Sequence, residues 1–225
     1  MIGHYIRRTA PPDGYIQIRN GPKVLLSEHP HDTITVFVVF VKKDYGTVEP
    51  NATVVDVGAN IGVFSLYAAH AGARSIIAIE PSAEGHAVLE RNISGNRLEG
   101  TVEADRRAVS DVGGHSVSIP KTASPYNESR RRDASPEEDL VSTISLSGIM
   151  ESVGGDVDLL KCDCEGAEYP FLMGATAMDL SRIKRIRMEY HAGPLDELTE
   201  VLVGHGFRET HRDLDGAILW LDVPP

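Results

Sequence analysis

The segment Thr53-Val54-Val55-Asp56-Val57-Gly58-Ala59-Asn60-Ile61-Gly62 constrains the fold of this chain more than any other. Its first half is rich in β-branched residues and lacks the polar alternation of a half-solvated strand, so it predicts a strand buried on both faces. Such strands belong to parallel sheets, whose connections are helical crossovers. Gly58 and Gly62 allow a tight turn and let a ligand approach the backbone closely. Phe64, Leu66, Tyr67 and Ala68 then give helical apolar spacing over 61–71, ending before Gly72. Strand, glycine turn and helix form the opening unit of an open α/β sheet, where ligands bind beyond the carboxyl ends of the strands.

The alternation continues along the chain. Strands are predicted over 75–79, 101–109, 115–119, 157–161 and 183–190, and helices over 82–94, 165–174 and 195–203. A final pair, 207–209 and 217–221, is joined through Asp213-Leu214-Asp215-Gly216. The pattern predicts a three-layer α/β sandwich around a mostly parallel seven-stranded sheet with a C-terminal antiparallel hairpin. Ahead of it, 15–18 and 23–26 flank Asn20-Gly21, a strong hairpin signal, and define a small β-rich extension. The stretch 33–41 reads equally as a β-branched strand and as a capped helix carrying Phe37, Phe40 and Val41. The expected organisation is an N-terminal extension over 1–45 and a main domain over 46–225. Within that domain, 120–142 is rich in Pro, Ser, Glu and Arg and reads as a surface insertion, either simply solvated or a cover over the site.

Charge and cysteine content narrow the partners. Twenty-two basic against 33 acidic side chains leave a formal charge of −11, which disfavours a large polyanion such as nucleic acid. No apolar run approaches the ~18 residues of a membrane span, and Arg7-Arg8 precede no apolar stretch of a secretory signal. A cytoplasmic protein with no membrane partner is therefore expected, with a homodimer open. Cys162 and Cys164 on one strand face would project in parallel, which suits a disulfide badly. No second pair supplies a zinc set, so reduced thiols acting as small hydrophobes are expected.

Four places carry candidate chemistry. Asp56 at the first turn is placed to accept from a ligand ammonium. Glu80-Pro81 ends the second strand, where an acidic side chain can take both hydroxyls of a ribose. The loop spacing Gly-x-x-x-Gly differs from the Gly-x-Gly-x-x-Gly of a nicotinamide-dependent dehydrogenase and disfavours that rival. Asp163 stands at the end of the fourth strand, and Glu165 and Glu168 fall in the first helical turn, where a helix dipole accounts for them. Glu189 and His191 share one face at the end of the fifth strand and can point at the same place.

VVDVGANIGVFSLYAA (54–69), IEPS (79–82), RRAVSD (106–111) and KCDCEGAE (161–168), followed by Glu189 and His191, together resemble the successive signatures of the FkbM methyltransferases. The resemblance spans about residues 45–191, with Cys162 and Cys164 replacing the usual aliphatic neighbours of the aspartate. It implies a class I methyltransferase (Rossmann-like) fold that uses S-adenosyl-L-methionine, mostly for O-methylation of a small-molecule acceptor such as a secondary metabolite or sugar. By the same resemblance Asp56, Gly58, Ala59, Asn60 and Gly62 would hold the amino acid moiety, Glu80 and Pro81 the ribose, and Ala108 and Val109 the adenine. Asp163 would border both cofactor and acceptor. Two mechanisms stay open: a general base drawn from Asp163, His191 and Glu189, or a divalent cation such as Mg on Asp163, Glu189 and His191. N-methylation of an amine and a non-catalytic cofactor-binding module are the alternatives.

Overall fold

The computed structural model describes residue 11 and residues 13–27, 29–120 and 138–224. Its centre is a seven-stranded sheet built from β3 (Thr53–Val57), β4 (Ser75–Ile79), β5 (Val102–Asp105), β9 (Leu159–Cys162), β10 (Arg185–Glu189), β11 (Arg208–Asp213) and β12 (Ile218–Asp222). The order across it is β11-β12-β10-β9-β3-β4-β5. β5, β4, β3, β9 and β10 pair in parallel, whereas β12 runs antiparallel to both β10 and β11. The strand order reverses between β3 and β9, so their carboxyl ends flank the crevice that such sheets use for ligands.

All five β3 positions are buried, as the apolar run requires. Period-two geometry sends Val54 to one face and Val55 and Val57 to the other. On the first face they join Ile76, Ala78 and the helix α2 (Val63–His70) with α3 (Ala83–Gly95); on the second they join Ile77, Ile79, Leu160, Cys162, Ile186 and Met188. The Ser82 hydroxyl caps α3 by accepting from the Gly85 amide.

The N-terminal hairpin forms as expected, with β1 (Tyr15–Gln17) antiparallel to β2 (Lys23–Leu25). An isolated two-stranded hairpin is marginal in water, and here it is docked. Ile16, Val24 and Leu26 enter the first core, at ~1.5–3 kcal/mol for each fully buried apolar side chain. Asn92 on α3 and Asn96 at its C-terminal cap bond the backbone of Leu25 and Lys23 much as a third strand would. The ambiguous 33–41 stretch is helical: α1 (Asp32–Phe37) continues as a π-helix, Val38–Lys42. Tertiary packing of Val36 and Val39 against the core overrides the strand propensity of their β-branched side chains.

Several expectations need correction. The strand read over 101–109 is two: β5 stays in the main sheet, while β6 (Ala108–Val109) leaves it and pairs with β8 (Glu138–Ile144). β7 (Ser116–Pro120) completes that second sheet antiparallel to β8. The C-terminal end of the 120–142 insertion is therefore strand; residues 121–137 lie outside the described residues. A helix absent from the sequence reading, α4 (Leu146–Val153), follows β8 and buries Leu146, Ile149 and Met150. The helix expected from 165 begins later, as α5 (Glu168–Met173), because Glu165 and Gly166 are left-handed. α6 (Ala177–Ser181) and α7 (Leu195–Gly204) complete the layers. Among the described residues, no helix is long and apolar enough to cross a membrane.

Candidate active site

The turn after β3 sits directly against the end of β9. Gly58 has φ +70°, and a Cβ there would lie 1.7 Å from the Asp163 carbonyl oxygen. Any other residue would push the two strand ends apart. Gly62 has φ +86°, and a Cβ would meet Leu89 on α3 at 2.5 Å, so the helix approaches the turn closely only because no side chain intervenes. Asn60 is also left-handed. The Gly58 and Ala59 amides both donate to the Ile79 carbonyl, and the Asn60 amide donates to Glu80 Oε2 at 2.8 Å. Glu80 Oε1 accepts from the Ser82 amide at 2.8 Å. Each carboxylate oxygen keeps a second lone pair for a ligand hydroxyl. Burial pushes the Glu80 carboxyl up to about 7, against the lowering by those two amides.

These residues line a cavity of about 370 Å³. Gly58, Ala59, Asn60, Glu80 and Pro81 border it, as do Ala108 and Val109 from β6. Asp163 and Glu189 open onto the same space. Three predicted site residues, Asp56, Gly62 and His191, do not. Asp56 is wholly buried beneath the turn, its Oδ2 accepting from Ser65 at 2.7 Å and its Oδ1 3.2 Å from Lys161 Nζ. It faces a lysine of its own chain, not the cavity. Gly62 lies behind the turn, where it admits α3.

Lys161 was quoted in the sequence motif without a role, and it organises the site. The residue is 3% exposed, and its ammonium donates to the Gly58 carbonyl at 2.7 Å and the Val57 carbonyl at 3.2 Å. It also stands 3.6 Å from Asp163 Oδ2. Burial favours its neutral form, but the carboxylates of Asp56 and Asp163 outweigh that and hold its pKa above the ordinary lysine value. A lysine inside an apolar strand, Leu159-Leu160-Lys161-Cys162, was the available signal.

Tyr45, just before the main domain, had no such signal. Its hydroxyl donates toward Asp163 Oδ2 at 2.9 Å and lies 3.2 Å from Glu189 Oε2. Burial, then the two acidic neighbours, keep the phenol protonated far above its usual range. Burial and the charge of Asp163 push the Glu189 carboxyl up to about 7.

His191 lies at one side of this group. Nδ1 is 3.1 Å from Glu168 Oε1 and Nε2 is 3.3 Å from Glu165 Oε2. The hydrogen bond to Glu168 raises the imidazole to about 9 despite its burial. Burial opposes the ionisation of Glu168, yet the bond from His191 leaves its carboxyl below the ordinary value. An imidazolium held at both nitrogens is not a base at neutral pH. The same geometry bears on a metal. Ligand atoms of Asp163, Glu189 and His191 lie within 4.8 Å of one another, but both histidine nitrogens are taken and the two carboxyls already meet Tyr45. The set does not fit a divalent cation as it stands. Cys162 and Cys164 are free thiols with sulfurs 3.9 Å apart.

Strand order, a glycine turn at the reversal point and an acidic end on the neighbouring strand define a class I methyltransferase. Residues 56–220 match the family model described as Methyltransferase FkbM domain, and the chain belongs to the FkbM methyltransferase family. It is 30% identical to the 31-O-demethyl-FK506 methyltransferase FkbM of Streptomyces tacrolimicus, over 70% of this chain and 73% of that protein. It is 28% identical to the AMB antimetabolite synthetase AmbE of Pseudomonas aeruginosa, over 83% of this chain but only 11% of the synthetase. Among solved structures, Methyltransferase FkbM from Methylobacillus flagellatus KT shares the fold with a TM-score of 0.52 at 14% identity, over 98% of this chain and 58% of that one.

Proposed function

We propose that this chain transfers the methyl group of S-adenosylmethionine to a hydroxyl oxygen of a small molecule. One observation carries the reading: the glycine turn and Glu80 share a single cavity with the carboxyl groups of Asp163 and Glu189. The family supports the methyl donor, and oxygen as acceptor is what the name of the Streptomyces relative states of that protein. S-adenosylmethionine, when bound, supplies a methyl carbon on a positive sulfur that keeps the C–S electron pair when displaced.

The residues fit that ligand. Gly58 lacks the Cβ that would collide with the Asp163 carbonyl and so lets the turn sit at the cavity wall, and we assign Gly58 to Asn60 to the amino acid end. Glu80, with Pro81 beside it, is assigned to the ribose hydroxyls, and Ala108 and Val109 to the adenine. Asp56 then acts from beneath: it fixes Lys161, which holds the Gly58 carbonyl and Asp163 in place. A hydroxyl nucleophile must lose a proton as its oxygen bonds to carbon, and a positioned base accelerates such steps by ~10²–10⁴-fold. We assign that base to the Asp163–Glu189 pair, with His191 a fixed cation at its edge and no metal required. Residues 1–45 are proposed as an N-terminal extension whose part from His31 to Tyr45 walls the cavity, and 46–225 as the catalytic domain.

A radiolabelled methyl-donor assay against a panel of hydroxylated small molecules tests the reading. Asp163→Asn and Glu189→Gln are expected to lower turnover at least ~10²-fold, with S-adenosylmethionine binding retained in calorimetry. Transfer to amines alone, or binding without any transfer, would replace it.

A further inference from the structure

The family match begins at residue 56, yet a residue ahead of it stands at the centre of the site. Tyr45 is 4% exposed, and its ring packs edge-on against Phe64 with centroids 5.5 Å apart. Its oxygen touches both carboxyls that face the cavity, at 2.9 Å and 3.2 Å. A phenol has one proton to give. Two ionised carboxylates cannot both receive it, and one contact would then set two bare acceptors against each other. Among the described residues, no other group hydrogen-bonds the Glu189 carboxyl. Asp163 makes the shorter contact and has Lys161 beside it, so it is the member whose charge is stabilised. Glu189 is then left to bond the phenol oxygen as an acid.

We infer that Tyr45 is a positioning residue that joins the two carboxyls into one hydrogen-bonded chain, Glu189–Tyr45–Asp163, sharing a single carboxyl proton. The inference rests on the methyl-transfer reading only for its purpose, which is to keep one carboxylate ionised for the acceptor proton. When that proton arrives on Asp163 the pair holds two, and one returns to water as product leaves. The groups facing the pair do not compete for this titration. Lys161 and His191 remain cations through neutrality, Glu168 is held below its ordinary value, and Cys164 stays a thiol through its contact with Cys162 and its burial. The neutral Glu189 that the chain requires agrees with its carboxyl being pushed to about 7.

The sign of one shift decides the matter without any acceptor. If Tyr45 accepts from protonated Glu189, Tyr45→Phe removes a partner of the acid form and Glu189 becomes the stronger acid. If Tyr45 merely donates to ionised Glu189, the same change makes it weaker. The experiment follows the carboxyl infrared band of the full chain across neutral pH, assigned by its loss in Glu189→Gln. The expected result is a three- to tenfold larger acid constant in Tyr45→Phe, about the size of one neutral hydrogen bond. An unchanged or smaller acid constant overturns the chain while leaving methyl transfer intact. Should Tyr45→Phe not fold, the wild-type chain decides: at neutral pH a protonated carboxyl band that is lost in Glu189→Gln is required, and its absence overturns the inference. Failure to find a methyl acceptor would count against the function proposed above and not against this chain of bonds.

Discussion

Lys161→Met tests whether a buried cation holds the site together. Methionine keeps most of the apolar stem, so the change removes charge and donors more than volume. What it strands is severe. Asp56 is 0% exposed and would keep only the Ser65 hydroxyl, while the Gly58 and Val57 carbonyls lose their side-chain donor. Removing one partner of a buried ion pair costs ~3–5 kcal/mol. The Asp56 pair needs no discount for screening by water, whereas the Asp163 side chain is 27% exposed and adds less. Against a whole stability of ~5–15 kcal/mol, that loss leaves a folded but fragile protein. At ~2–4 °C per kcal/mol for a chain of this size, the melting point should fall by ~6–20 °C. Thermal unfolding followed by circular dichroism measures that fall, and urea titration the free energy. Adding Asp56→Asn should recover part of the loss, giving a coupling of at least ~1 kcal/mol. A single variant within ~1 kcal/mol of wild type, or strictly additive changes, would refute the reasoning.

The remaining predictions bear on the ligand and on pH. Glu80→Gln should weaken S-adenosylmethionine binding ~10- to 100-fold in calorimetry, the loss of a charge-assisted hydrogen bond. Because ionised Glu80 is the binding form and its carboxyl sits at about 7, wild-type affinity should fall below that pH by at most ~tenfold per unit, and Glu80→Gln should flatten the trend. His191 is raised from 6.5 to about 9, so its contribution to stability is complete below 6.5 and lost as pH rises through about 9. Denaturation at a series of pH values should show that decline in wild type and a flatter line in His191→Gln. Gly58→Ala should abolish cofactor binding in calorimetry, since its Cβ and the Asp163 carbonyl cannot both keep their places. Methyl transfer should persist in EDTA, and magnesium titration should give no heat; a metal-dependent rate would return a cation to Asp163 and Glu189.

The parallel core was legible because its signal is local. β3, β4, α2 and α3 announce themselves through uninterrupted apolar runs, glycine at the turn and a serine cap, each a property of neighbouring residues. Asp163 and Glu189 were found for the same reason, by standing at strand ends. What stayed open or was missed was non-local. α1 is helical although Thr33, Ile34, Val36 and Val38 favour strand, because the core accepts Val36 and Val39 at helical spacing. β6 departs from β5 to pair with β8, a partner thirty-odd residues away that no window on 101–109 contains. The contacts of His191 were equally hidden, since only the fold brings Glu165 and Glu168 to its two nitrogens.

The charges around the cavity separate the two cofactor classes that strand order alone leaves together. A dinucleotide brings a pyrophosphate and asks for free donors or cations. Here each cation recorded in a pair on the cavity wall is already answered: Lys161 by Asp56, Arg107 by Asp105, Lys42 by Asp44. The turn offers little more, since the Gly58 and Ala59 amides are spent on the Ile79 carbonyl and the Asn60 amide on Glu80. What faces the space is acidic: Glu80, Asp163 and Glu189. An anion would enter against the Glu80 and Asp163 carboxyls, whereas S-adenosylmethionine, with a sulfonium and an ammonium against one carboxylate, carries a net positive charge that meets the opposite sign away from bulk water, where it counts for more. The buried Lys161–Asp56 pair beneath the turn thus bears on selection as well as structure: it keeps the lysine charge from the cavity and holds the Gly58 carbonyl close to Asp163.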